Sequence, residues 1–301
     1  MEWQQVIGFY QVAKLGSFTK AAAATFRTQS ALSQQIKALE RELDCHLFER
    51  IGKRKLRLTS AGERFFTFAE SVLENYDSLV EDLNKLGGFH KGRLGIAAPF
   101  TTLYHLLPEV LKEYIKHFPQ VELTILDRSQ QTVIELIRGG DVDFGLVLES
   151  EVPGDLTSFR WKRVETVLMT PPGHPLAEAK RLTLEKLAKY PLILPPKDLK
   201  FTCRRMLEER FQKLGLDYQI VMESSNVELT SLYVEMGLGI SFATVVIDLP
   251  ALQQRKLEFL PMDQLFKPDY IAAVMRKDKN LSTHKSFFLT ILLGESALPL
   301  N

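Results

Sequence analysis

Ser30, Ser33, Gln34, Lys37 and Arg41 recur at spacings that place them on one side of an α-helix. Gln and Ser donate and accept hydrogen bonds as base edges do, and Lys37 with nearby Arg41 can neutralise phosphate. The opposite side carries Leu32, Ile36, Leu39 and Leu43 at steps of four, three and four, a stripe that faces a core. Just downstream, Arg50, Lys53, Arg54, Lys55 and Arg57 put five cations into eight residues around Gly52. A basic hairpin of this kind suits backbone phosphates or a minor groove. A second constellation is made of hydroxyls. Thr101 and Thr102 fall between an expected strand and its helix, and Thr202 falls at another expected helix start, with Arg204 and Arg205 close behind. Helix starts after strands favour negative charge through backbone N–H groups and the helix dipole. Bland alternatives stand beside both. The basic head could be a three-helix bundle with a solvated polar face, and each threonine could be an ordinary N-cap.

The elements that must position these residues follow from periodicity. Val6, Phe9, Tyr10 and Ala13 mark a first helix, with Gly16 as its stop and Ser17 as the next N-cap. A second helix is expected over 19–26, where Ala21-Ala22-Ala23-Ala24 allows close helix crossing. After the break at Arg27-Thr28-Gln29, Thr28 or Ser30 caps the third helix. Helix, tight break and helix with a polar outer face form the pattern of a helix-turn-helix, and the basic hairpin would be its wing. A long helix follows over about 59–86, with Ser60 and Glu63 spaced as a capping box. Along it Phe65, Ala69, Val72, Tyr76, Leu79, Leu83 and Leu86 step by four and three, widened by Phe66, Leu73 and Val80. That is a coiled-coil seam, or a face packed partly on its own chain. Gly87-Gly88 reads as a hinge. Beyond it, strands are expected at 94–98, 121–126, 142–148, 164–170, 192–194, 219–222, 239–243 and 270–275. Helices are expected at 102–118 and 130–138, in the rhythm of an α/β domain.

Composition sets the outer limits. The 301 residues are 45% hydrophobic and 25% charged, as in globular proteins, and the length suits about two domains. The net charge of +1 hides an asymmetry. Residues 1–58 hold ten Lys/Arg against five Asp/Glu, and the remainder is net acidic, so a basic head sits on an acidic body. Two distant cysteines, Cys45 and Cys203, fit a reducing cytoplasm and exclude a disulfide framework. Cys203 as a redox sensor would need a resolving cysteine that its domain does not have. No apolar run approaches a membrane span, and the start is not patterned as a signal peptide. There is no Walker loop, nucleophile elbow or HExxH, and the histidines are scattered, so neither catalysis, a metal nor a cofactor is expected. The rival classes are an α/β enzyme and a small-molecule binding protein whose helical head does not touch DNA. Sustained turnover of amino acids or their derivatives would favour the enzyme.

The residues Phe9, Val12, Gly16-Ser17-Phe18, Ala21-Ala22, Gln29-Ser30-Ala31-Leu32-Ser33-Gln34-Gln35-Ile36, Leu39-Glu40, Leu47-Phe48, Arg50 and Leu58-Thr59-Ser60-Ala61-Gly62 resemble the N-terminal signature of LysR-type transcriptional regulators. Two departures are Phe26, standing where leucine is usual and expected to affect only packing, and Asp44, standing where glycine is common. Asp tolerates a left-handed backbone, so the helix can still end there. Further on, Gly140-Asp141-Val142-Asp143-Phe144-Gly145, His174-Pro175-Leu176-Ala177 and Gly237-Leu238-Gly239-Ile240 resemble the same family's effector domain. The resemblance implies an α+β multidomain chain in three parts. These are a winged helix-turn-helix over 1–58, a linker helix over 59–88 and a two-lobed α/β effector domain over 91–301, like periplasmic binding proteins. It implies DNA contacts from Thr28, Gln29, Ser30, Ser33, Gln34 and Lys37 in the major groove, with Arg50, Lys53 and Arg54 at the backbone or minor groove. The implied partners are an imperfectly palindromic promoter duplex, a small effector and a second copy paired through the linker helix, with dimers joining into a tetramer. Thr101 and Thr102, then Ser129 and Gln130, then Thr202 are laid out as in the branch related to the cysteine-biosynthesis regulator. That branch senses small sulfur-linked anions and acetylated serines; Pro99 departs from it at a position where a hydroxyl is usual.

Overall fold

The computed structural model describes residues 1–51, 55–86, 92–197, 203–246, 255–279 and 281–294, within two compact units, Met1–Phe89 and His90–Asn301. In the first unit, α1 (Trp3–Leu15) ends at Gly16, whose φ of 60° takes the left-handed conformation that glycine adopts without strain. Ser17 caps α2 (Phe18–Ala24), and Thr28 caps α3 (Gln29–Glu42) by accepting the Ala31 N–H at 3.2 Å. The three helices bury Val6, Phe9, Val12, Ala21, Ala22, Leu32, Ile36 and Leu39. Gly8 permits the closest approach, since a Cβ there would lie 2.7 Å from Leu32 Cδ1. The wing is an antiparallel pair, β1 (Phe48–Ile51) and β2 (Lys55–Leu58), with Phe48 opposite Leu58; its turn lies outside the described residues.

Two sequence expectations are corrected in this unit. The linker helix α4 (Ser60–Leu86) is capped by Thr59, whose hydroxyl accepts the Gly62 N–H at 3.0 Å, so Ser60 is already helical and is not half of a capping box. Phe26 is not a packing position. It is 97% exposed, with a φ of 54°. Its N–H donates to the Ala23 carbonyl at 3.3 Å and the Arg27 N–H to the Ala22 carbonyl at 2.8 Å, the bond pair of a left-handed helix cap. Asp44 closes α3 in the same way, with φ 49°, as the sequence suggested.

The second unit is built on one sheet in the order β4 (Val121–Asp127), β3 (Gly92–Ala98), β5 (Phe144–Leu148), β11 (Asp269–Arg276), β6 (Leu156–Thr170), β9 (Ile240–Val245), β7 (Leu192–Leu194) and β8 (Ile220–Glu223), with β10 (Glu258–Pro261) also pairing β6. Its first lobe uses β3, β4, β5 and β11. Leu94, Ile96 and Phe144 pack towards α6 (Leu107–His117) and α11 (Thr283–Leu293). Ala97, Val147 and Val274 pack towards α7 (Gln130–Arg138). The second lobe uses β7, β8, β9 and β10, with α8 (Leu184–Leu187), α9 (Cys203–Lys213) and α10 (Val227–Glu235). The 15-residue β6 serves both lobes, pairing β11 along its first part and β9 and β10 along its last. The sequence expectation covers only its buried end, 164–170, although Phe159 and Trp161 alternate with Arg160 and Lys162 as a half-buried strand does. The single helix expected over 102–118 is two, α5 (Phe100–His105) and α6, broken at Leu106. Pro108 has no N–H to continue the ladder of α5.

Candidate nucleic-acid interface and effector site

On α3, Gln29, Ser30, Gln34 and Lys37 are exposed and Ser33 is half-buried, while Leu32, Ile36 and Leu39 are buried behind them. One helix therefore has a fixed apolar back and a free polar front. Thr28 also faces solvent, but its hydroxyl has a local role: besides capping α3 it lies 3.1 Å from Ser30 Oγ. Gln34, Lys37 and Arg41 continue into an open groove of about 660 Å³ bordered by Asp44 and His46.

Two positioning residues escaped the sequence reading. Glu40, on the same helix, accepts the N–H groups of Leu47 at 2.8 Å and Phe48 at 3.3 Å. A carboxylate holding two backbone donors ties the end of the recognition helix to the start of the wing. Arg27 counts as a cation of the basic head, yet its guanidinium donates to Gln35 Oε1 at 2.5 Å and to Gln4 Oε1, bridging α1 and α3 across the turn. Glu40 stands in the family signature, but its role, like that of Arg27, leaves no trace in one sequence, since charged residues on a polar surface have no period. In the wing, Arg50 lies on β1 opposite Leu56, and Arg57 is exposed on β2. Lys53 and Arg54 fall outside the described residues.

Thr101 and Thr102 are the second and third residues of α5, and Pro99 is its N-cap. Neither threonine is therefore the ordinary cap considered from sequence. Thr102 is 7% exposed and its N–H already donates to the Pro99 carbonyl at 3.0 Å, so this donor is not free as expected. Ser129 caps α7, lying 3.4 Å from the Thr132 N–H that it accepts. Gln130 Oε1 accepts the Leu148 N–H at 2.7 Å, binding α7 to the end of β5. Both side chains thus have work in the fold. Thr202 lies outside the described residues, as does the Cys203 side chain. Arg204, which follows them, is buried and donates to the Pro195 carbonyl, Glu208 and Glu223. Its charge is matched inside the second lobe. Among the described residues, no cluster of His, Cys, Asp and Glu is placed to hold a metal ion, and no helix is long and apolar enough to cross a membrane.

Comparison with known proteins covers both units. Residues 3–63 match the family described as "Bacterial regulatory helix-turn-helix protein, lysR family", and residues 87–297 match "LysR substrate binding domain". The chain is 31% identical over 272 residues to the HTH-type transcriptional regulator CysB of Burkholderia cenocepacia, covering 89% of this chain and 85% of that one. It is 33% identical over 226 residues to the regulator cbl of Escherichia coli, covering 74% and 71%. The cofactor-binding domain of the Cbl transcriptional regulator superposes with a TM-score of 0.58 at 28% identity, over 67% of this chain and 88% of that one. Full-length CbnR complexed with its target DNA shares the fold, with a TM-score of 0.55 at 20% identity over 97% and 99%. The family models account for the helix-turn-helix and for the two-lobed sheet. The chain belongs to the LysR family of bacterial transcriptional regulators, with its DNA-binding head first and its effector-binding domain after it.

Proposed function

We propose that this regulator reads an imperfect palindrome through Gln29, Ser30, Ser33, Gln34 and Lys37 of two paired heads, with Thr28 as the cap that fixes the helix start. Arg50, Lys53 and Arg54 hold the wing to phosphates. The observation that carries this reading is the exposed polar front of α3 set on a fully buried back. A helix so fixed presents its side chains without further ordering, so base contacts cost little entropy. The parts are a head over 1–58, a linker over 59–88 and an effector domain over 91–301, working in the cytoplasm as a dimer or a pair of dimers. Footprinting upstream of its own and neighbouring genes, with Gln29→Ala and Arg54→Ala beside the parent, tests the division of labour. Gln29→Ala relaxes base preference at a few positions by about 1–3 kcal/mol. Arg54→Ala weakens binding to all sequences and flattens the salt dependence. Equal effects of both on specific and random DNA would refute it.

The effector in this reading is a small anion held by Thr101, Thr102 and Thr202, with Ser129 and Gln130 shaping the neighbouring wall. Similarity to CysB and cbl supports the sulfur-linked class. Pro99, the N-cap of α5, stands where the branch related to the cysteine-biosynthesis regulator has a hydroxyl, so the choice among such anions is a matter for measurement. Calorimetry with sulfate, thiosulfate, O-acetylserine and N-acetylserine decides between them. Binding that survives Thr101→Val with Thr202→Val places the site elsewhere.

A further inference from the structure

We propose that His105 and Glu228 form a clasp across the effector domain that sets how tightly its two lobes close, and through that the affinity for the effector. The two residues come from different lobes. His105 ends α5, whose neighbours Leu103 and Leu106 pack in the first lobe's core. Glu228 opens α10, whose Val227 and Val234 pack in the second lobe's core. His105 Nε2 lies 2.5 Å from Glu228 Oε1, and the imidazole side chain is only 2% exposed. The imidazole is out of reach of water and the Glu228 side chain is mostly covered, at 22% exposed, so separating the lobes must leave both groups to be rehydrated.

Three surroundings make this contact a clasp and not a casual approach. Glu228 is fixed from behind, because Asn226 Oδ1 accepts its backbone N–H at 2.8 Å. Arg255 faces its second oxygen at 3.8 Å and also faces Glu235 at 3.6 Å. The Tyr104 ring stands edge-on to the imidazole at 4.9 Å. The histidine therefore meets a carboxylate whose backbone is held by Asn226 and whose second oxygen faces an arginine. The helix that carries it matters most. Thr101 and Thr102 precede His105 by four and three residues, the spacing that shares one face of a helix. An effector touching those hydroxyls and the latch that reaches the other lobe thus sit on one short rigid element. Ligand and clasp favour the same closed arrangement, so each strengthens the other.

The proposal rests on the effector-site reading above, and its test separates the two. The full-length protein and its Glu228→Gln and His105→Leu variants are compared by hydrogen exchange without ligand, then with sulfate, thiosulfate, O-acetylserine and N-acetylserine. Without ligand, both variants are expected to exchange several-fold faster in peptides 99–106 and 226–236, with strands β3 and β9 unchanged. Where an anion protects the parent, the variants are expected to need about tenfold more of it, the effect of losing a closed population held by one charge-assisted bond. His105→Gln, which keeps a donor, restores part of both. Unchanged exchange in either peptide, or faster exchange spread evenly over residues 92–294, overturns the clasp. Ligand-independent loosening in both peptides with no response to any of the four anions upholds the clasp and refutes the anion.

Discussion

Replacing Leu79 by Lys tests the pairing of linker helices most directly, because the structure divides the α4 stripe in two. Its first half is occupied within the chain. Phe65 stands edge-on to Phe9 at 4.8 Å, Phe66 stacks on Tyr10 at 5.3 Å, and Ala69 is fully buried. Its second half is more open: Tyr76 meets Trp3 at 4.9 Å but stays half-exposed, and Leu79, Val80 and Leu83 are exposed, Leu79 at 55%. Full burial of a leucine side chain contributes roughly 1.5–3 kcal/mol, so covering the exposed half of Leu79 contributes about 1 kcal/mol or slightly more per copy. A two-fold axis counts each substitution twice, giving about 2–3 kcal/mol, or roughly 30- to 150-fold in dimer dissociation. An unpaired ammonium buried at the seam adds to the loss. Sedimentation over a dilution series measures it, and circular dichroism checks that the head stays folded. Val72→Lys, by contrast, falls at a half-buried position one turn beyond the fully buried Ala69, and is expected to lower head stability as well. An unchanged dimer after Leu79→Lys would refute the seam.

Asp143 is 12% exposed and holds Lys279 at 2.7 Å, Lys285 at 3.2 Å and the Gly95 N–H at 2.7 Å. Burial alone would raise its pKa, but the two lysines and the amide outweigh it and hold the carboxyl below the usual range. Its contribution is therefore present above the unfolded value of about 4 and is lost as pH falls through the lower folded one. Asp143→Asn is expected to cost the effector domain about 3 kcal/mol at pH 7 and to flatten its acid denaturation, both read by thermal melts. Phe26→Gly relieves a left-handed conformation that costs about 1–2 kcal/mol, partly offset by the freedom of glycine when unfolded, so the head is expected to melt slightly higher. A lower melting point would show that Phe26 packs after all. Glu40→Ala strips two backbone donors of their acceptor and is expected to cost the head about 2 kcal/mol while weakening DNA binding through a loosened wing. Wing amide exchange equal to the parent's would contradict that.

Much of the head could be read from the sequence because its signals are local. Leu32, Ile36 and Leu39 repeat with the helix, Ser17 and Thr28 cap it, and Gly16 and Asp44 allow the left-handed turns that end it. Each of these acts over three or four residues, so a single sequence records it. The same holds for α7 and β7, whose apolar runs are bounded by turn residues. Contacts between residues far apart in the chain were decided only by the tertiary structure. Glu40 meeting the amides of Leu47 and Phe48, Arg27 meeting Gln4 and Gln35, and His105 meeting Glu228 across 123 positions leave no periodic trace. The first part of β6 alternates as a strand does, but its partner β11 lies more than a hundred residues away and leaves no local mark. The type and ends of an element follow from short-range sterics and capping, which the order of residues carries. Which polar side chain is free for DNA or an effector, and which is held by the fold, depends on what folding brings beside it.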